Sequence, residues 1–184
     1  MFDIQKMIQV VNHVIDRYDG RINYTKLIKE LYLADKECLL KNGYLITDNN
    51  LVCMKMGPVL ENLYRLIRGE HANSAIQTKW NSFFYKSSFD LVKLIENRLP
   101  EDRLNMNEIQ ILDDVDNRCH NMTYSELTDM VHDAAICPET IKTDSSVDLP
   151  LGRIMKKAGI SSATIAAWSD EKELQDDIDF ALAN

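Results

Sequence analysis

Apolar positions recur at helical spacing along most of this chain. Ile4, Met7, Ile8, Val11, Val14 and Ile15 fall on one face, so residues 3–18 read as an amphipathic helix that stops before Gly20. In "INYTKLIKELYLADKECLLKNG", Asn23 suits an N-cap and Asn42-Gly43 a C-terminal stop. Leu27, Leu31 and Ala34 line one face of the helix between them. "YLITDNNLVCMKM" reads as extended, with a turn at Asp48-Asn49-Asn50 and the makings of a small hairpin. From Pro58 the helical pattern resumes through Val59, Leu60, Leu63, Leu66 and Ile67 to Gly69.

Residues 70–82 are polar apart from Trp80, and their pattern fixes no element. "FFYKSSFDLVKLI" carries aromatic and β-branched residues for one or two strands near 83–95, with a short helix as the competing reading. Asn105 with Glu108, and Thr123 with Glu126, are capping-box patterns ahead of two further helices. A loop over 138–150 is bounded by prolines, and a short helix "LGRIMKKAG" follows it. The closing stretch sets Leu174, Ile178 and Ala181 as a narrow seam among many acids. The pattern therefore predicts a mostly α fold, α+β only through a small amount of extended chain, in one compact helical domain of six or seven helices. Its expected divisions are a core over 1–137 and a loop with a C-terminal helical extension, packed on the core, over 138–184.

Charge sharpens the functional reading. Residues 1–100 hold 14 Lys+Arg against 11 Asp+Glu, and residues 101–184 hold 7 against 18, so the halves carry +3 and −11. An acidic half does not suit a phosphate backbone, so no direct nucleic-acid binding is expected. It suits a protein partner with a basic surface. Cys38, Cys53, Cys119 and Cys137 have no tight spacing and read as reduced thiols. Asp3, Gln5 and Lys6 precede any long apolar run, against a secretory signal, and no stretch reaches 18 apolar residues. The expected location is the cytoplasm, with no membrane partner.

Candidate chemistry is thin. Cys119, His120, His132 and Cys137 are zinc-ligand types without chelating spacing, so no metal and no cofactor is expected. Asp113-Asp114 and Asp176-Asp177 are adjacent on helices, so the two members of each pair point in different directions. No phosphate-binding, zincin or nucleophile-elbow pattern is present. Gly57-Pro58 reads as a structural corner with Pro58 at the first helical position and Glu61 favouring the helix dipole. A ligand or partner contact at that corner is the alternative.

Two stretches carry a resemblance. "INYTKLIKELYLAD" and, about twenty residues on, "MKMGPVLENLYRLI" are similar to the hallmark of the Panacea domain, the family of SocA-like antitoxins also found in phage-associated proteins. Lys26, Leu27, Lys29, Leu31 and Tyr32 fit the first motif; Gly57, Pro58, Val59, Leu63 and Tyr64 fit the second. "YSELTDMVH", with Leu127 and His132, resembles the family's later helix, and the likeness spans roughly residues 5–137. Asn23, Tyr24, Ile28 and Glu30 depart from the pattern, and Glu30 in place of an apolar residue predicts a different exposed face. Ile136 and Cys137 stand where a Trp is common.

The resemblance implies an antitoxin that binds and neutralises a cognate protein toxin, not an enzyme. Its motif residues Lys26, Lys29, Tyr32, Gly57, Pro58, Tyr64 and His132 are the candidate partner-binding set. Two other readings stand beside it: a protease adaptor or phage-encoded regulator of a host protein, and an enzyme with a site around His132.

Overall fold

The longest buried helix organises the fold. The computed structural model describes residues 2–94 and 102–182. Asn23 Oδ1 accepts from the amides of Thr25 and Lys26, and Gly43 closes the other end in the left-handed region, which fixes α2 as Tyr24–Asn42. Eleven of its residues are buried, including Lys26, Lys29, Glu30 and Asp35. It packs against helices or strands on nearly every side.

Around it, α1 (Ile4–Asp16) is capped by Asp3 and buries the apolar stripe expected of it. Two three-stranded antiparallel sheets flank the helices. One orders β1 (Arg21–Asn23), β5 (Asp90–Lys93) and β4 (Phe84–Ser87) side by side. The other places β2 (Leu51–Met54) between β3 (Gly57–Leu60) and β6 (Val147–Asp148). The remaining helices are α3 (Glu61–Arg68), α4 (Ser74–Asn81), α5 (Met106–Cys119), α6 (Tyr124–His132), α7 (Leu151–Lys157) and α8 (Ser162–Leu182). Both expected capping boxes form, at Asn105/Glu108 and Thr123/Glu126. The fold is mostly α with small sheets, as the pattern predicts, and has eight helices among the described residues.

Three readings are corrected. Pro58 does not open a helix: Gly57–Leu60 is β3, and α3 begins at Glu61. The hairpin turn falls at Lys55-Met56 between β2 and β3, not at Asp48-Asn49-Asn50. Neither turn residue has positive φ, and Gly57 follows at φ +88, the pattern of a type I turn closed by a left-handed glycine. Pro58 is tolerated because β3 is an edge strand. Residues 74–81 are a helix whose Asn73 cap stands in a polar stretch and whose only buried residue is Trp80. Glu30 does not give α2 a different exposed face, because it is buried.

The segment after residue 137 contributes Leu149, Ile154 and Met155 to the buried core. In α8, Trp168 Nε1 donates to the Gly43 carbonyl at 2.7 Å. Farther along, Leu174 and Ile178 are 61% and 43% exposed. Asp170, Glu171, Glu173 and Asp177 are exposed, while the side chains of Asp176 and Asp179 lie outside the described residues. No helix is long and apolar enough to cross a membrane, among the described residues.

Candidate functional site

Lys29 projects from the middle of α2 towards the hairpin, and its ammonium donates to the Pro58 carbonyl at 2.8 Å. A Cβ on Gly57 would lie 3.0 Å from Val131 Cγ2 and 3.2 Å from His132 Nε2. α2, the β2–β3 hairpin and the end of α6 thus meet at one corner. The glycine is required twice over, by its positive φ and by this close approach.

The corner's electrostatics follow from burial. Burial pulls the Lys29 ammonium down to about 8, which still leaves it charged at neutral pH. His132 is lowered from its ordinary value by burial first and then by the cations Lys29 and Lys142, against a hydrogen bond to the Lys55 backbone. Its ring is therefore neutral near pH 7. Burial also raises the thiols of Cys38 and Cys53, and it pushes those of Cys119 and Cys137 up to about 11. All four cysteines are free and buried.

The other motif residues do not all join this corner. Tyr64 stands near it, half-buried at the start of α3, with the Arg68 guanidinium over its ring at 5.5 Å. Tyr32 donates to the buried Glu139 carboxylate at 2.5 Å, where Lys36 also pairs at 2.8 Å. Arg153 Nε donates to the Glu139 carbonyl, so this cluster fastens the segment after residue 137 onto α2. Lys26 points the other way: its ammonium donates to the His120 carbonyl at 2.5 Å and lies 4.6 Å from the Tyr18 ring centroid. Glu30, 3.7 Å from Lys26, accepts from the Tyr18 hydroxyl at 2.7 Å.

Glu139 and Asp35 escaped the sequence reading, and Glu30 entered it only as an exposed position. Asp35 accepts from the Thr47 amide and hydroxyl and so pins the 44–50 loop to α2. The available signal was Tyr32 and Lys36 at i,i+4 on a helix with little exposed face, which together call for an acid from elsewhere. Cys119, His120, His132 and Cys137 belong to no metal-binding group; none of three or more His, Cys, Asp or Glu occurs among the described residues.

Beside the corner lies a cavity of about 320 Å³ between α2, the hairpin and residues 144–146. Tyr24, Ile28, Lys29, Met54, Val59 and Tyr64 line it. Its lining is mostly apolar; of its two lysines, Lys29 is buried and Lys55 is exposed.

The family model described as "Antitoxin SocA-like, Panacea domain" matches residues 27–136. The chain belongs to this family. The matched span runs from the first turn of α2 to just past α6, and so contains Lys29, Gly57, Pro58 and His132. The Panacea corner is thus built by three separated segments of that span. The family match ends before β6, α7 and α8. Neither the curated proteins nor the solved structures provide a match to this chain.

Proposed function

We propose that this Panacea protein is an antitoxin that binds a cognate protein toxin and blocks it. The observation that carries the reading is the antitoxin-family match over residues 27–136. The chemistry of the motif side chains supports binding over catalysis. Lys29 and Lys26 are engaged by backbone carbonyls, and Tyr32 by Glu139. Burial keeps the thiols protonated, which makes them poor nucleophiles. His132 is used as a packing surface for Gly57.

The partner surface in this reading is acidic. The −11 balance after residue 100 and the exposed acids of α8 favour a toxin with a basic face. The test is native pull-down of the tagged chain from its own cells, followed by identification of what co-purifies. The expected result is a stoichiometric protein that arrests growth when expressed alone. Recovery of no such protein would count against the assignment.

A further inference from the structure

Three lysines of α2 make inward contacts, Lys26 and Lys29 buried and Lys36 half-buried, and one differs from the others. Lys26 has Glu30 at 3.7 Å and Lys36 has Glu139 at 2.8 Å. Lys29, 1% exposed, has only the Pro58 carbonyl at 2.8 Å, and no ion pair to a carboxylate among the described residues. An ammonium carries three donors and no acceptor. A buried cation held by one neutral acceptor is costly, and an added anion relieves that cost. Burial lowers the ammonium to about 8, so at neutral pH the charge is still there to be met.

The space for such an anion is adjacent. Lys29 lines the 320 Å³ cavity, within the range of small-ligand sites and large enough for one bulky side chain and its terminal group. Around it the wall is Ile28, Met54 and Val59 with the rings of Tyr24 and Tyr64. Lys55 and Asp144, one charge of each sign, also line it but are exposed, so solvent screens both. The unbalanced charge is at Lys29. A phosphate dianion wants several charged donors, whereas one buried lysine in a mostly apolar cavity suits a single negative charge on a hydrophobic body.

We propose that this cavity binds a monocarboxylate with an apolar or aromatic body, its carboxylate paired with Lys29 and its body between Tyr24 and Tyr64. Lys29 keeps its bond to Pro58 and turns a second donor to the ligand. Two sources offer this chemistry: the last residue of a peptide chain, and a free aromatic or aliphatic acid. The inference does not depend on the identity of any toxin.

Calorimetric titration of the full chain tests it with three probes: N-acetyl-L-phenylalanine, its neutral amide, and 3-phenylpropionate. N-acetyl-L-phenylalanine is expected to bind at least about tenfold more tightly than the amide, and Lys29→Met to remove that preference. The acid–amide comparison uses the unaltered protein, so it decides the matter even if Lys29→Met does not fold. Tyr64→Ala, at a half-buried surface position, is expected to weaken the acid several-fold. Binding of both acids identifies a free carboxylate on an apolar body as sufficient; binding of N-acetyl-L-phenylalanine alone identifies a peptide C-terminus. Equal affinity for acid and amide, no heat from either acid up to about 10 mM, or an acid preference intact in folded Lys29→Met would each overturn the proposal.

Discussion

Helices α2 and α8 are similar in length, at 19 and 21 residues, and treat their side chains in opposite ways. α2 buries even its charges: Lys26, Lys29, Glu30 and Asp35 all sit in the interior. α8 exposes even its apolar seam, at Leu174 and Ile178. The difference follows from neighbours. α2 meets α3, α5, α6, α7, β1 and β3, whereas α8 has its main helix contact with α7 and anchors Trp168 against Gly43. A helix surrounded on all sides must find a partner inside the protein for each polar group, and α2 does so for nearly all. The family match covers most of α2 and none of α8. The matched part is thus a scaffold, and the acidic helix outside the match is where our proposal places toxin contact.

The same truncation made in both helices should separate them most. Leu31→Ala, at a fully buried site on α2, is expected to cost about 3–4 kcal/mol, through lost transfer energy and a residual cavity. Leu174→Ala on α8 is expected to change stability by less than about 0.5 kcal/mol. Urea unfolding measures both, and equal losses would erase the distinction.

A second comparison isolates the corner that α2 supports. Gly57 and Gly69 both have positive φ, but a Cβ on Gly57 meets Val131 and His132, while one on Gly69 meets nothing within 4 Å. Gly57→Ala is expected to cost about 2 kcal/mol and Gly69→Ala about 1. Matching values would mean that the corner yields without penalty.

The charges buried by α2 leave a third signature, in pH. Burial pushes Glu30 and Asp35 up to about 7, from 4.5 and 3.8. For Glu30, the Tyr18 hydroxyl and Lys26 pull the other way and Asp116 adds to the rise. The folded state therefore holds protons that the unfolded chain releases, so stability contributed by these groups falls as pH rises through about 5 to 7. Glu30→Gln, which preserves an acceptor for Tyr18, should flatten that slope by about 2 kcal/mol between pH 5 and 7. Denaturant midpoints across that range would show it; an unchanged slope would mean that Glu30 titrates normally.

Much of this contrast was legible beforehand. Asn23, Gly43 and the two capping boxes marked helix ends because their chemistry is local. An extended stretch with a small hairpin is expected where β2 lies, but its second strand, β3, reads as helix because Val59 and Leu60 extend the apparent helical stripe of Leu63, Leu66 and Ile67. Four-residue strands are too short to show their own period. α4 was missed because it buries only Trp80. The central position of α2 is hidden by its charges, because Glu139 and the His120 carbonyl, which meet Tyr32 and Lys26, come from distant sequence. The Lys29–Pro58–His132 corner was anticipated only as members of family motifs; their meeting in space depends on three segments that no periodicity connects.

The smallest expected effect concerns the acids of α8. Asp170→Asn, Glu173→Gln and Asp177→Asn together should slow association with the toxin a few-fold at low salt, with the gap closing as salt rises. Equal rates at every salt concentration would leave α8 as a solvated face outside the interface.

The central claim is neutralisation, and growth reports it most directly. The product of a neighbouring reading frame, induced alone and then together with this chain, should arrest cells in the first case and leave them growing in the second, with the two proteins co-eluting as one complex. Persistent arrest with this chain folded and abundant, and no complex formed, would contradict the account.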